Sequence, residues 1–361
     1  MKILQVIQKK QLRGAEIFAC QLSEELIKLG HEVIVVAIYP GEALLPASNP
    51  IVQLNRQLKW RFFDLKGWRL LARLIEEFKP DLIQANASDT LKFVVFSKMV
   101  FGWRFPIVYR NANKMSDFIR SFFSYKFNAL LIKQVSLVIS VSEACRTDFV
   151  QLFNIDADKV QTGTIGVNIA SIGNCSKDLE FIFEKGPVLI NIGSLVPEKN
   201  HKGLLNIFSR LHRAHKGIQL IILGTGNEKG VLVERVKQLG LQNNVHFLGS
   251  RTDVMEILKK ADALVMPSNI EGLPGVILEA QYAKVPVVAY NVGGIGEVIV
   301  NRVTGFLVEK GDEEGFILSV SEALSNVRLC NEIIENAYEN VLNNYDNVLI
   351  AKKFVEMYKL L

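Results

Sequence analysis

Two glutamates and one lysine stand where sugar and phosphate chemistry can be done. The segment 267–281, PSNIEGLPGVILEAQ, puts Glu271 on a loop after an apolar strand and Glu279 inside the helix that follows. Pro274 suits a first helical position because it has no N–H to leave unpaired. If both glutamates were helical, their eight-residue spacing would set them about 80° apart; with Glu271 on the loop, both can face one opening. A carboxylate accepts charge-assisted hydrogen bonds from two hydroxyls, which suits a sugar. The free amides of a helix start suit an anionic or hydroxyl-rich ligand. Taken alone, the pair reads more simply as one capping carboxylate and one solvated helix residue. Its surroundings change that weighting. Residues 191–199, NIGSLVPEK, leave a strand and set Lys199 on a loop at its carboxyl end, where a cation can pair with a diphosphate. An ordinary surface lysine is the plainer alternative. Residues 292–297, VGGIGE, follow another strand, and their three glycines permit close backbone approach, a positive φ or a simple flexible turn.

Other chemistries leave no trace. The first strand runs into QKKQLRGAE, which has one glycine where a dinucleotide fingerprint needs three, and Gly224-Thr225-Gly226 is followed by Lys229 at the third position. The chain carries no Walker loop, HExxH or GxSxG. Its five histidines show no ligand spacing, so no metal is expected. The four cysteines, Cys20, Cys145, Cys175 and Cys330, form no CxxC, which fits a reducing cytoplasm.

The elements that must position these residues alternate. Strand-like runs fall at 3–7, 32–37, 81–84, 106–109 and 135–140, then at 187–192, 219–223, 245–248, 263–266, 286–290 and 305–308. Amphipathic stretches separate them, among them 15–29, 68–78, 117–133, 203–215, 229–239 and 253–260. This alternation predicts parallel sheets with helices on both faces. The 361 residues suffice for two domains, with 49% hydrophobic and 22% charged residues, which excludes a disordered or low-complexity chain. The polar stretch 172–185 is the expected boundary. The expected organisation is a doubly wound domain over 1–172, a second over 186–345, and a final helix over 346–361. Ligands are then expected at the carboxyl ends of the strands, in a cleft between the domains. The opening residues MKILQVIQKK read as a first strand rather than a leader, and no run of eighteen apolar residues occurs.

In order and spacing, several segments resemble the retaining glycosyltransferases of the GT-B fold, sequence family four. They are GSLVPEKN (193–200), ILGTG (222–226), VHFLGSRTDV (245–254), PSNIEGLPGVILEA (267–280), PVVAYNVGGIGEVI (286–299) and TGFLVEKGD (304–312), with RGAE (13–16), KPDLIQAN (79–86) and VISVSEACR (138–146) in the first half. The resemblance implies two Rossmann-like domains and a nucleotide-sugar donor held mainly by the second. It implies that Glu271 contacts donor-sugar hydroxyls, Glu279 accepts from the ribose, and Lys199 neutralises the diphosphate as it leaves. Gly14 would let backbone approach the phosphate from the first domain. Gly224 would border the donor, and Leu248 the base. Leu273, Gly275 and Val276 would offer backbone amides, which Pro274 cannot. Ser194 stands where the family often carries an arginine, so Lys199 acts alone or is helped by Arg13 or Arg251. Gln84 and Asn86 replace family histidines, and Arg110, Asn111, Ala112 and Asn113 occupy the place of another. An amide-rich acceptor site built on Asn86, Arg110 and Asn113 is therefore expected.

The implied activity is hexosyl transfer, with retention and without a metal or other cofactor, to a glycan or lipid-linked acceptor in surface polysaccharide or glycolipid synthesis. A uridine nucleotide is the slight preference. An epimerase-like nucleotide-sugar enzyme and a catalytically weak binding or scaffold relative are the alternatives. Charge bears on location. Residues 1–175 hold 22 basic and 15 acidic residues, and residues 56–133 hold 15 and 6. Three basic-aromatic stretches, 58–74, 92–105 and 118–127, suit an anionic membrane surface, with Ile119, Phe123 and Phe127 expected on one helical face. A domain core with a solvated basic face weighs evenly against that. Nucleic acid is not expected as a partner. A cytoplasmic protein, peripheral on the inner face of the plasma membrane, follows from the membrane reading.

Overall fold

The first strand, KILQVIQK, is buried on both faces, as a central strand of a parallel sheet must be. Leu4 and Val6 pack with Trp68, Leu71 and Ile75 of the helix Leu65–Phe78. On the other face Ile7 packs with Ala19 and Cys20 of the helix Gly14–Lys28. The computed structural model describes residues 1–60, 63–168 and 177–361. Cys175, part of the expected boundary stretch and two residues of the 58–74 stretch lie outside the described residues.

The chain divides into two units. One comprises Met1–Asn168 with Asn347–Leu361, the other Ile169–Asp346. The first holds seven parallel strands: β1 (Lys2–Lys9), β2 (Glu32–Tyr39), β3 (Val52–Gln53), β4 (Leu82–Ala85), β5 (Ile107–Asn111), β6 (Leu137–Ser140) and β7 (Val160–Thr162). Their order is β3-β2-β1-β4-β5-β6-β7. The second holds β8 (Val188–Ile192), β9 (Gln219–Leu223), β10 (Val245–Gly249), β11 (Ala263–Met266), β12 (Val287–Tyr290) and β13 (Phe306–Val308), in the order β10-β9-β8-β11-β12-β13. Each sheet is therefore the doubly wound order 3-2-1-4-5-6, the first with one strand more at its edge. In each, the strand order reverses beside the first strand, which opens a crevice at the carboxyl ends.

Every strand expected from the sequence is present. The short edge strands β3 and β7 are additional, and two or three residues carry too little pattern to be read. The helix expected over 117–133 starts only at Phe122 and ends at Ile132. Ser121 stops it earlier, accepting at its hydroxyl from the Ser124 amide at 3.2 Å, and a 3-10 turn occupies Met115–Asp117. The last helix, Asn347–Tyr358, packs on the first unit. Phe354 meets the Phe18 ring at 5.6 Å, and the Tyr358 hydroxyl donates to Gln84 Oε1 at 2.6 Å.

Candidate active site

In the second unit, β8 and β11 are neighbours on either side of the reversal in strand order, and their exits carry Lys199 and Glu271. After β8 the chain turns through Gly193–Val196 into the 3-10 turn Pro197–Lys199. Asn200 then adopts a left-handed conformation, and its side chain accepts from the Gly203 amide to start the helix His201–Ala214. The same side chain donates to the Pro267 carbonyl at 3.0 Å, on the exit of β11. The amides of Asn269 and Ile270 both donate to the Glu198 carbonyl, at 2.8 and 3.3 Å. Two backbone bonds and one from the Asn200 side chain thus tie the two loops together. Across them, Lys199 Nζ lies 2.5 Å from Glu271 Oε1.

The pair is well enclosed: the Glu271 side chain is 6% exposed and that of Lys199 24%. His201, next to Lys199 in sequence, is fully buried, and neither ring nitrogen has a partner among the described residues. Burial, with the Lys199 charge adding to it, lowers its pKa to about 4, so it is neutral at pH 7.

A third loop closes the site. Gly293, after β12, has φ +60°, and a Cβ there would run into the Glu271 carbonyl oxygen. The Gly294 amide donates to the Gly272 carbonyl at 2.6 Å. Of the three glycines read from VGGIGE, Gly293 is thus required by close approach to the Glu271 loop. Gly224, after β9, has φ +137°, and a Cβ there would meet the Gly193 carbonyl.

The helix Gly275–Tyr282 begins at Pro274, with no side chain capping its first amides. Gly275 and Val276 are half-buried at this start, while the Leu273 side chain is buried, leaving its backbone for any ligand. One turn on, Glu279 is half-buried, and its carboxylate has no hydrogen-bond or ion-pair partner among the described residues. Burial raises its pKa above the usual carboxylate value. Ser194 and Leu248 are half-buried on the exit of β8 and on edge strand β10. Arg251, expected to help Lys199, is already held by Asp253 at 2.7 and 2.8 Å and by Asp178 at 3.1 Å, so it is not a free phosphate cation. Among the described residues, no three His, Cys, Asp or Glu side chains converge as metal ligands.

The first unit treats its candidates unequally. Gly14 is the exposed first residue of its helix, and a Cβ there would meet nothing, so the chain's own packing does not require a glycine. Asn86 is corrected. Expected at an acceptor surface, it is 1% exposed and sits in a core network. Its amide donates to Gln5 Oε1 at 2.8 Å and to the Val6 carbonyl at 3.2 Å, and its carbonyl accepts from Gln84 at 3.0 Å. Its polar atoms are spoken for by the sheet itself. Asn113 is half-buried on the loop after β5. Arg110, at the end of β5, is 3% exposed and stacks over Phe18.

The three basic-aromatic stretches also separate. Helix Leu65–Phe78 buries Trp68, Leu71, Ala72, Ile75 and Phe78, and helix Ser88–Phe101 buries Phe93, Val94 and Val95. Both mainly serve the core. Helix Phe122–Ile132 buries only Leu131 and Ile132 and exposes Phe122 (68%) and Phe123 (84%), with Phe118, Phe127 and Leu130 also exposed. Ile119 is corrected: it precedes the helix and packs partly into the core. Ring contacts run from Phe127 through half-buried Phe96 and buried Trp68 to exposed Phe63, so this segment is tied to the core through its aromatic rings. Arg120, Lys126 and Lys133 are exposed on the same segment. No helix among the described residues is long and apolar enough to cross a membrane.

The chain matches the family described as glycosyl transferases group 1 over residues 176–340, and glycosyltransferase family 4 over residues 12–171. It is 26% identical to an uncharacterized glycosyltransferase of Methanocaldococcus jannaschii, over 96% of this chain and 94% of the other. It is 25% identical to the N-acetylgalactosamine-N,N'-diacetylbacillosaminyl-diphospho-undecaprenol 4-alpha-N-acetylgalactosaminyltransferase of Campylobacter jejuni, over 90% and 87%. Among solved structures, HepE of Anabaena in complex with UDP-glucose superposes with a TM-score of 0.85 at 22% identity, each chain covered in full. TarM of S. aureus superposes with a TM-score of 0.78 at 14% identity, over 99% and 98%.

Proposed function

Because the chain belongs to the group 1 glycosyl transferases, a family of GT-B glycosyltransferases, we propose that it moves a hexosyl unit from a nucleoside-diphosphate sugar to a glycan or lipid-linked acceptor, with retention and without a metal. The observation that carries this reading is the Lys199–Glu271 pair, formed by two loops at the strand-order reversal beside an uncapped helix start. A uridine nucleotide fits best, since HepE, of the same fold, binds UDP and UDP-glucose.

In this reading Lys199 sits against the diphosphate, together with the amides of Gly275 and Val276. Glu271 accepts from sugar hydroxyls with the carboxylate oxygen that Lys199 leaves free. Glu279 accepts from the ribose, and Leu248 borders the base. As the bond from the anomeric carbon to the diphosphate breaks, its electron pair leaves with the phosphate oxygen. Lys199 and the helix-start amides stabilise that charge from fixed positions. The acceptor oxygen forms the new bond on the face the phosphate departs from, and its proton passes to the leaving phosphate.

The acceptor belongs to surface polysaccharide or glycolipid synthesis, in line with the Campylobacter relative, whose name states a diphospho-undecaprenol acceptor. The exposed Phe122–Phe123 patch and its lysines suit an anionic membrane surface, which supports reading the enzyme as a peripheral protein on the cytoplasmic face. The test is a product analysis. Incubation with UDP-sugars and an acceptor should give an α-linked product from an α-linked donor by proton NMR, at a rate unchanged by EDTA. A β-linked product contradicts retention. Donor isomerised without an acceptor would point to an epimerase instead.

A further inference from the structure

We propose that Arg110 anchors an oxyanion site in the first unit, and that the acceptor carries a carboxylate or phosphate group that docks there. This rests on the glycosyltransferase reading above and names the chemistry of its acceptor. Arg110 is the fourth residue of β5 and pairs in register with Ile139 of β6. It is 3% exposed, with its guanidinium carbon 4.2 Å from the centroid of the Phe18 ring. Nε and Nη1 are buried without a partner, and no ion pair includes this residue among the described residues. The other well-enclosed arginines are matched: Arg56 is held by Asp64 at 2.9 Å and Arg251 by Asp253 at 2.7 Å. A buried guanidinium is ordinarily paired, because it loses its hydration and, as the most basic side chain, does not escape by losing its proton.

The surroundings are short of acceptors. Gln84, Asn86 and Tyr358 are bonded to one another and to Gln5 Oε1, and none of these oxygens accepts from Arg110 Nε or Nη1. Glu16, the carboxylate that most affects Arg110 electrostatically, makes no ion pair with it. Glu16 accepts instead from Gln11 Nε2 at 2.8 Å, and burial raises its pKa. Asn111 Oδ1 is an unpartnered acceptor, but strand alternation turns it to the other face of β5. A buried cation with no counter-charge calls for an anion. Water alone would satisfy the hydrogen bonds and leave the charge. The helix Gly14–Lys28 begins without a side-chain cap two turns or less from Phe18, which adds favourable dipole to an anion approaching Arg110.

The experiment is thermal unfolding of the full chain bearing Lys199→Ala, so that phosphate cannot act at the second unit's lysine. Inorganic phosphate and malonate are titrated at constant ionic strength held with sodium chloride. The expected result is a saturable rise in Tm of about 2 °C or more with at least one of them. The rise should be lost with Arg110→Met and reduced with Arg110→Lys, the variant that keeps the charge should the first fail to fold. Preference for phosphate points to a phosphate-bearing acceptor, and preference for malonate to a carboxylate one. No saturable rise with either anion, or an equal rise in both Arg110 variants, overturns the proposal and leaves the cluster filled by water. UDP stabilisation measured on Arg110→Lys with Lys199 intact reports the donor reading separately, and it should be unchanged.

Discussion

Lys199 Nζ meets Glu271 Oε1 at 2.5 Å across 72 positions of sequence. The two groups proposed to meet different parts of a nucleotide sugar are thus in contact with each other. Each neutralises the other and holds its loop in place.

Removing either partner should therefore act on both stability and turnover. Lys199→Ala leaves a buried carboxylate without its cation, at a cost of about 1–3 kcal/mol. It should also lower kcat by roughly 100–1000-fold, the scale of losing one fixed charge-stabilising donor. Glu271→Gln keeps the shape and a hydrogen-bond acceptor for Lys199, so its Tm should fall less while turnover still drops. Thermal unfolding beside donor-consumption kinetics separates the two effects.

Gly293 should prove more sensitive than its neighbours. Alanine there combines a positive φ with a clash on the Glu271 carbonyl oxygen. The cost is about 1–3 kcal/mol, and because Glu271 must shift to relieve it, donor affinity should fall as well. Gly14→Ala is the control, since a Cβ there meets nothing in the chain. Its Tm should be unchanged, and any loss should appear in nucleotide binding alone.

Glu279 should oppose stability in the empty enzyme. Its folded pKa is raised by burial above the ordinary carboxylate value, so the folded state holds the proton more tightly than the unfolded one. Stability from this group is present below the unfolded value and is lost as pH rises through the folded one. Glu279→Gln should thus raise the Tm of the empty protein at pH 7 and leave it unchanged near pH 4. The same variant should weaken UDP binding at pH 7. A Tm lowered at pH 7 would show the carboxylate to be structural.

The Phe122–Phe123 face makes a membrane prediction. The protein should co-sediment with phosphatidylglycerol vesicles at low salt, less so at high salt, and hardly with phosphatidylcholine. Phe122→Ser with Phe123→Ser should abolish this without lowering Tm, because both rings are largely exposed. Self-association of the wild type, lost in the double variant, would instead assign the patch to a second copy of the chain.

Much of this was legible in the sequence because strand exits are local. Lys199, Glu271 and the glycines after β12 each follow an apolar run, and the run fixes which end of the sheet they occupy. Their pairing was not legible, since no spacing rule links loops 72 residues apart. Asn86 went wrong for the complementary reason. It lies just beyond β4, on the face that Gln84 shares, and the Tyr358 hydroxyl that completes that network comes from the far end of the chain. Arg251 looked free because Asp178 is distant in sequence, although Asp253 is only two residues away. Arg110 drew notice as a replaced family position, and only the structure shows its nitrogens unpartnered.

The central claim, a nucleotide-sugar site on the Lys199–Glu271 loops, is tested most directly by binding. Thermal shift with UDP, GDP and ADP and their common sugars should be measured on wild type and Lys199→Ala. The account predicts a rise in Tm with one nucleotide family, uridine first, that is lost in Lys199→Ala. No rise with any nucleotide, or a rise that survives Lys199→Ala undiminished, would contradict it.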